Sequence, residues 1–382
     1  MARGRGRRAR TWGLGPWIVA AACSGSGERP AEERGAPAAS ARDASAEPGL
    51  ALELDPASLP GSILFVSERD GDLEVYRWRA SSALERLTRD PASDFVAEVD
   101  PQGRGWTHVI THDGESPEEH RERLWWMPAQ GEPVAIGPEG RRARGPSWAP
   151  DRSFVVFESD AEGAFSDLWR WDREGGGLTR LTRTEHGAFE PAVSPDGRSI
   201  AFVSTQDGNP EIYLMDADGS APRRLTSWRR DDMAPRWSPD GTMLAFLRRE
   251  QGGERLFVLE LRPDGSTAER RLVPTAEGEE VAHADHGWSP DGTRLAFTEH
   301  RPRQPPRVEV APVAPGGSPR VVSPSSLGAT MPSWSPDGRF IVLAGTLDAP
   351  EALDLYVVAL ESGAVARLTD AAASDWLPRW SG

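Results

Sequence analysis

The sequence offers few side chains whose type and spacing suit chemistry, and the densest group is "HADH" at residues 283–286. His283, Asp285 and His286 provide two imidazoles and a carboxylate, which divalent metals accept as ligands. Two His and one Asp in direct succession rarely reach one ion from an extended strand, and the same residues also fit a polar loop before a strand. The group is therefore a weak metal candidate. We expect no cofactor and assign no catalytic residue.

Further candidates share one position in a repeat that runs through the chain. Four polar residues stand five positions before a recurring Val or Trp: Asp94, Asp232, His283 and Asp375. We place this position in the loops that enter the inner strands, where the side chains would ring one mouth of a central channel. The alternative is that each Asp caps only its own loop, because Asp is a favoured turn residue.

Two tryptophans fall in the same class of loop, Trp228 in "SWRRDDMAP" and Trp376 in "SDWLP". Next to Arg229 and Arg230, Trp228 has the composition of a protein or sugar contact. With His286 and the four polar residues, these tryptophans complete our predicted binding site at the channel mouth. Two other tryptophans, Trp126 and Trp171, alternate with apolar residues on strands and are predicted to pack between repeats.

The repeat itself is defined by seven aligned residues: Val99, Trp148, Val193, Trp237, Trp288, Trp334 and Trp380. Their spacing of 44–51 residues indicates a repeat architecture. Each copy contains short apolar runs such as "IAFVST" and "IYLMDA", bounded by Gly, Pro and Asp, as strands are. Four such strands per copy, without a helical period, describe a propeller blade.

Seven copies predict an all-β fold, a seven-bladed propeller of four-stranded blades, with six blades as the alternative. The first copy lacks an inner strand. Residues 376–380, at the other end of the sequence, have the pattern of an inner strand, but no further strands of a blade follow them. We expect this C-terminal strand to close the ring, since closure leaves no open sheet edge.

The repeated "SPDG" could be read as an acidic site around Asp240, but its composition is that of a tight turn. Pro239 sets φ, and Gly241 supplies the left-handed conformation that closes a hairpin. Arg152 takes the Gly position in "WAPDRS", at a cost on the order of 1 kcal/mol. Arg152→Gly is accordingly predicted to be slightly stabilising.

The first 60 residues differ in composition from the rest. Residues 1–22 have the basic and then apolar order of an export signal. The single cysteine, Cys23, follows "AAA" as in a lipobox, so we predict its lipidation, with an ordinary secretory signal as the alternative. Residues 23–60 are rich in Ala, Gly, Ser and Pro and predict a flexible tether, and residues 61–382 form the propeller.

"PRWSPDGTMLAF" followed by "NPEIYLMDADGSAPRRLT" resembles the WD-like propeller repeat of the TolB family. The resemblance implies a bacterial, usually exported propeller that binds partners and performs no chemistry. This chain departs from the family in three ways: it has seven copies where TolB has six blades, a tether where TolB has an α/β domain, and a lipobox-like start.

The net charge of −15 argues against nucleic acid as a partner. We therefore predict a non-catalytic, envelope-tethered propeller that binds a protein or glycan partner through one face of the ring. It would be an exported monomer, periplasmic or anchored to the outer membrane, touching the membrane only through its lipid. The alternative is a metal-dependent lyase or hydrolase acting on a polysaccharide, with His283 and His286 as ligands.

Overall fold

A computed structural model describes residues 52–89, 92–100, 102–112, 121–276, 278–347 and 352–382. These residues form seven four-stranded antiparallel sheets, which confirms the seven-bladed propeller, and one 3-10 turn at Pro56–Ser58. No helix among the described residues is long and apolar enough to cross a membrane. The export signal and Cys23 lie outside the described residues.

Each blade is numbered here in chain order, and its strands are given from the channel outwards. Blade 1 contains β28 (Asp375–Ser381), β1 (Ser62–Ser67), β2 (Glu74–Arg79) and β3 (Glu85–Arg86). Blade 2 contains β4 (Ser93–Val99), β5 (Gly105–His112), β6 (Arg121–Pro128) and β7 (Val134–Ile136). Blade 3 contains β8 (Arg144–Trp148), β9 (Phe154–Ser159), β10 (Asp167–Asp172) and β11 (Leu178–Arg180).

The other four blades repeat this order. Blade 4 contains β12 (Ala188–Val193), β13 (Ser199–Ser204), β14 (Glu211–Asp216) and β15 (Arg223–Arg224). Blade 5 contains β16 (Asp232–Trp237), β17 (Met243–Glu250), β18 (Gly253–Leu261) and β19 (Thr267–Arg271). Blade 6 contains β20 (Ala282–Trp288), β21 (Arg294–His300), β22 (Arg307–Pro312) and β23 (Arg320–Val321). Blade 7 contains β24 (Gly328–Trp334), β25 (Phe340–Thr346), β26 (Asp354–Ala359) and β27 (Val365–Arg367).

The ring closes as predicted, because the inner strand of blade 1 is β28. It pairs antiparallel with β1, with Ile63 opposite Trp380. The Trp380 indole stacks near Phe340 of blade 7, at 6.3 Å between centroids, and donates to the Pro60 carbonyl at 2.9 Å. Two residues that the sequence placed in the flexible tether also pack here: Leu59 is buried in the apolar cluster between blades 7 and 1, and Leu54 is partly buried against it.

The core lies between neighbouring blades. The second strand of a blade is covered on both sides, so β9 is buried along its whole length and reads as the continuous run "FVVFES". Trp126 of blade 2 packs on Trp148 of blade 3 at 4.8 Å between ring centroids, and Trp148 meets Trp171 edge-on at 6.2 Å. Trp126 and Trp171 both belong to the apolar cluster shared by blades 2 and 3, which confirms the prediction that they pack between blades.

A recurrent clamp explains the "RLT" that ends many of the copies. In blade 4, the Arg224 guanidinium and the Thr226 hydroxyl both donate to the Glu211 carboxylate at 2.8 Å. Thr226 also accepts from the Ile212 N–H at 2.9 Å. The equivalent acid, Arg and Thr in three other blades are Glu74, Arg86 and Thr88; Asp167, Arg180 and Thr182; and Asp354, Arg367 and Thr369. The clamp fixes a very short outer strand that would otherwise have few bonds.

The "SPDG" segments are turns between the first and second strands. Gly241 has φ 72°, and Ser238 Oγ donates to Asp240 Oδ1 at 2.6 Å. This bond is the first cause of a lowered pKa for Asp240, so the carboxylate is engaged in the turn. Pro195 of the preceding turn lies against Gly241, and the pair Pro239 and Gly292 repeats the contact. We call the side of the ring that carries these turns the turn face.

Candidate functional site in the channel and at the loop face

The opposite side of the ring carries longer connections and is called the loop face. In blade 4 these are residues 205–210 and 225–231, and the inner strands of all blades start on this side. Trp228 lies here, half-buried, with its indole N–H 3.3 Å from the Arg249 carbonyl. Arg229 and Arg230 beside it are exposed.

The predicted ring of polar side chains lies at this side of the molecule but is not open to solvent. Asp94, Asp232, His283 and Asp375 all have 0% of their surface exposed. The sequence placed them in loops, whereas the structure places them at the start of inner strands, aimed into the protein. Asp232 and Asp375 pair with arginines, Asp94 lies 3.3 Å from His108, and His283 Nδ1 accepts from the Leu256 N–H at 3.1 Å, so each of these buried groups has a polar partner. The four side chains therefore do not line an open channel mouth, and their role in binding stays a prediction.

Asp232 is the best example of this pairing. Its carboxylate receives two bonds from Arg248, at 2.8 and 2.7 Å, and Arg248 also bonds Glu269 at 2.6 Å. Burial would lower the pKa of Arg248, but the bonds with these carboxylates raise it overall. The Arg248 guanidinium also lies 5.0 Å from the Trp228 ring centroid. A buried ion pair therefore supports an aromatic side chain of the loop face.

The remaining members of the set belong to separate blades. Asp375 pairs with Arg69 of blade 1 at 2.7 Å, and Asp94 lies 3.3 Å from His108 of blade 2. Trp376 is half-buried on β28, opposite Val66. Trp228 lies in the connection that precedes the inner strand of blade 5. Arg248 contacts both Trp228 and Asp232 and so links these two predicted residues, whereas the other predicted residues are not brought together.

The "HADH" group does not converge on one point. His283 Nδ1 accepts from the Leu256 N–H of blade 5 at 3.1 Å. Asp285 Oδ2 instead accepts from Thr298 and from Thr330 of blade 7, at 3.0 and 3.1 Å. Among the described residues no three His, Cys, Asp or Glu side chains form a group that could hold a metal ion. The group therefore does not fit a metal centre as it stands.

The reason for this divergence is a bulge that recurs in the inner strands. Asp285 has φ 50°, and the register of β20 shifts between Ala284 and Gly287. The residues at the equivalent position of five other blades also have positive φ, and each precedes a Pro: Gly145, Glu190, Ala234, Met331 and Leu377. A bulge bends the strand and redirects its side chains, so alternation cannot be read through it.

The bulges place charged residues on the channel wall. Glu190 accepts from the Ala234 N–H of the next blade at 2.7 Å. Burial raises the pKa of Glu190, and the nearby Glu158 carboxylate adds to the rise. Glu98 of blade 2 accepts from the Trp148 N–H at 3.1 Å and pairs with Arg152 at 3.0 Å.

Arg236 of blade 5 and Arg379 of blade 1 complete the charged lining. Burial, together with repulsion from Arg236, lowers the pKa of Arg379 to about 10. Both residues precede the recurring Trp, in the two "PRW" copies at 235–237 and 378–380. That duplication was a signal for the channel arginines which the sequence reasoning did not use.

Parts of the chain are similar to known proteins. The profile of the Tricorn protease N-terminal beta propeller domain matches residues 163–307. The chain is 29% identical over 149 residues to a protein TolB homolog of Chlorobium luteolum, covering 39% of this chain and 32% of that protein. It is also 29% identical over 119 residues to the uncharacterized peptidase YuxL of Bacillus subtilis, covering 30% of this chain and 18% of that protein. The matched segments thus span less than a third of either relative.

Solved structures show the same fold at low identity. A puromycin hydrolase S511A mutant superposes with a TM-score of 0.61 at 17% identity, over 82% of this chain and 53% of that one. An oligogalacturonate lyase in complex with manganese gives 0.57 at 15% identity, over 80% and 86%.

Seven four-stranded blades closed by the C-terminal strand define the class: this is an all-β, seven-bladed propeller. Within that class its repeats resemble those of TolB-like propellers, as the partial matches to the Tricorn N-terminal propeller profile and to a TolB homolog show.

Proposed function

We propose that this protein is a non-catalytic binding propeller of the cell envelope, which engages a protein or glycan partner through its loop face. The observation that carries the proposal is Trp228. Its ring centroid lies 5.0 Å from the guanidinium of Arg248 and 5.5 Å from that of Arg229, and Arg229 is exposed. An aromatic side chain held in place by a buried pair and flanked by Arg is typical of the residues that dominate binding interfaces.

The contrast between the two faces supports the same proposal. Short "SPDG" turns of nearly constant sequence occupy the turn face, whereas the connections of the loop face differ in length and composition. Recognition is carried by variable loops on a constant scaffold. The mixed charge of the loop face also favours a polar partner over a lipid or a nucleic acid.

The proposal includes export and attachment through Cys23. Support comes from the order of residues 1–23 and from the similarity to a TolB homolog. In this arrangement a monomeric ring is held at the membrane by a lipid and by a tether that ends near Leu54, whose N–H bonds the Val365 carbonyl of the propeller at 3.1 Å.

A metal-dependent lyase or hydrolase is the second candidate, favoured by the similarity in fold to an oligogalacturonate lyase in complex with manganese. It would require His283, Asp285 and His286 to meet at one ion. The bonds of His283 to Leu256 and of Asp285 to two threonines hold these groups in different directions. Manganese titration followed by calorimetry separates the candidates: stoichiometric binding that is lost in His283→Ala would favour the enzyme.

The binding proposal is tested with a photocrosslinking amino acid placed at the loop face, in cells, with mass spectrometry of the products. Arg229→Glu reverses an exposed charge beside Trp228, and Arg198→Glu makes the same change beside a turn of the opposite face. We expect Arg229→Glu to abolish the crosslinked product and Arg198→Glu to retain it. The reverse pattern would assign the partner to the turn face.

A further inference from the structure

The connection that carries Trp228, between β15 and β16, is held in place on both sides of Arg229. The side-chain amide of Asn209 donates to the Trp228 carbonyl at 3.3 Å and to the Arg230 carbonyl at 2.5 Å. The backbone N–H of Trp228 donates to the Glu211 carboxylate at 2.7 Å. These bonds fix the backbone around Arg229 in the free protein, so little conformational entropy is lost when a partner binds there.

Other blades show that the fold does not require a large side chain at the position of Trp228. In blade 3 the same bond to the acid of the clamp comes from the N–H of Thr184, at 3.1 Å from Asp167. In blade 7 it comes from the N–H of Ala371, at 3.4 Å from Asp354. Because the backbone alone makes this bond, the indole of blade 4 and the two arginines that follow it are not explained by the folding of the clamp.

Arg229 and Arg230 carry positive charge that the folded chain leaves without a counter-charge. Both side chains are exposed, and among the described residues no carboxylate lies within ion-pair distance of either. The Arg230 guanidinium bonds the Glu250 carbonyl at 3.1 Å. The neighbouring Asp231 is already paired with Arg249 at 3.1 Å. Since the chain has a net charge of −15, an acidic partner is repelled by the molecule as a whole and attracted at this point.

An exposed aromatic side chain, Phe165, lies on the same side of the ring in blade 3. Among the described residues it is the aromatic member of the exposed large apolar side chains, with 52% of its surface exposed. The carbonyl of the next residue, Ser166, accepts from the Ala188 N–H at 2.9 Å. The adjacent Gly187 carbonyl accepts from the N–H of Thr205 at 3.3 Å, and Thr205 begins the connection that supplies the amide bonds described above. Hydrogen bonds therefore link the segment of Phe165, step by step, to that of the two arginines.

We propose that Phe165, Arg229 and Arg230 form one binding surface of the loop face, which takes an acidic segment of a protein partner that also carries an apolar side chain. This inference rests on the proposed binding function and deepens it by naming the chemistry of the partner. The two guanidiniums can bind carboxylates through charge-assisted bonds, and burial of Phe165 removes apolar surface from water. Recognition of acidic motifs by grouped arginines is a recurring mode of peptide binding.

The same region favours a polypeptide over an acidic glycan. The Trp228 ring is half-buried, and the guanidiniums of Arg229 and Arg248 lie within 5.5 Å of its centroid. Little of the ring is therefore open for a sugar to stack on. A polymer of uronic acids also has no apolar side chain to place on Phe165, whereas a peptide can present carboxylates and an apolar group together. Tetragalacturonate therefore serves as the competing probe.

The test selects phage-displayed random decapeptides on the immobilised full chain and then measures the binding of the selected peptides in synthetic form. Arg229→Gln combined with Arg230→Gln removes both charges of the surface. The control, Arg198→Gln combined with Arg262→Gln, removes two exposed charges of the turn face. We expect the selected peptides to contain more Asp and Glu than Lys and Arg, together with an apolar residue. Their affinity should be at least about tenfold lower in the loop-face double variant and unchanged in the control.

Phe165→Ser separates the apolar contribution from that of the charges. It should lower the affinity of the same peptides about three- to tenfold and leave the dependence of binding on salt unchanged. Leu178→Ser, at an exposed position of the outer strand of blade 3, should have no effect. The loop-face double variant should instead lose most of the salt dependence. Because all these side chains are exposed, the melting temperatures should stay close to that of the wild type.

Four results would each overturn the inference: selected peptides without an excess of acidic residues, equal affinity in the loop-face double variant, affinity unaffected by Phe165→Ser, or tighter binding of tetragalacturonate than of any selected peptide. If crosslinking in cells still occurs at the loop face in such a case, the proposed function stands without this surface. Crosslinking that is found at the turn face would instead refute the proposed function itself.

Discussion

Replacing Arg152 by glycine separates two opposing contributions to stability in one turn. Arg152 has φ 61°, a left-handed conformation that glycine adopts without strain. On this ground alone the sequence predicts that Arg152→Gly stabilises the fold by on the order of 1 kcal/mol. The structure reverses the expectation, because Arg152 is only 4% exposed and donates to Glu98 at 3.0 Å and to Asp100 at 3.2 Å.

The size of the reversed effect follows from what each carboxylate retains. Removing one partner of a buried ion pair costs roughly 3–5 kcal/mol. The lower part of that range applies, since Asp100 keeps Arg104 at 2.6 Å and Glu98 keeps the Trp148 N–H and is 30% exposed. After the relief of backbone strain, we expect a net loss of about 1–3 kcal/mol, or roughly 2–6 °C in melting temperature.

Scanning calorimetry and urea unfolding at a constant m-value measure this loss. Gly241→Arg is the control: it puts the same residue into an equivalent turn, where Ala192 and Ser194 take the places of Glu98 and Asp100. There only the strain of about 1 kcal/mol should appear. An unchanged or higher melting temperature for Arg152→Gly would refute the contribution that we assign to the ion pair.

Glu190→Gln keeps an acceptor for the Ala234 N–H. Because the pKa of Glu190 is raised, the stability of the wild-type protein falls as pH rises above 4.5, so the variant should gain more stability at neutral pH than in acid. Equal gains in melting temperature at the two pH values would contradict this. His286→Pro introduces the proline that five other copies have at this position. Because burial lowers the pKa of His286 to about 3, the stability of the wild-type protein falls as pH drops below 6.5. The variant should therefore lose less stability in acid than the wild type, as measured by acid titration followed by circular dichroism. Deleting residues 375–382 should abolish cooperative melting of the whole ring, and a normal transition would disprove closure by β28. Mass spectrometry of the mature N-terminus should show cleavage before a lipid-modified Cys23, and an unmodified cysteine there would refute lipid anchoring.

Much of the fold could be predicted from the sequence because blades depend on local signals. The turn chemistry around Gly241 and the spacing of the recurring Trp specify strands, their order and the closing partner of β1. The site was less accessible to such reasoning. Asp232 looks like any loop aspartate in sequence, and its partner Arg248 is found only once β16 and β17 are paired. The left-handed conformation of Asp285 likewise interrupts the alternation of inward and outward side chains along β20, from which the direction of a side chain is inferred.

The pairing of β28 with β1 also means that the ring can complete its folding only after the C-terminal strand has been synthesised. Strand β1 is made early and is held by β2, but its other edge stays unpaired until residues 375–381 have been synthesised. An unpaired apolar strand is a target for aggregation and for chaperones. A chain that crosses a membrane from its N-terminus would therefore expose this edge throughout translocation, and any product truncated before Asp375 would keep it exposed. Ring closure thus separates chains that carry β28 from shorter fragments, because only the former can pair the inner edge of β1.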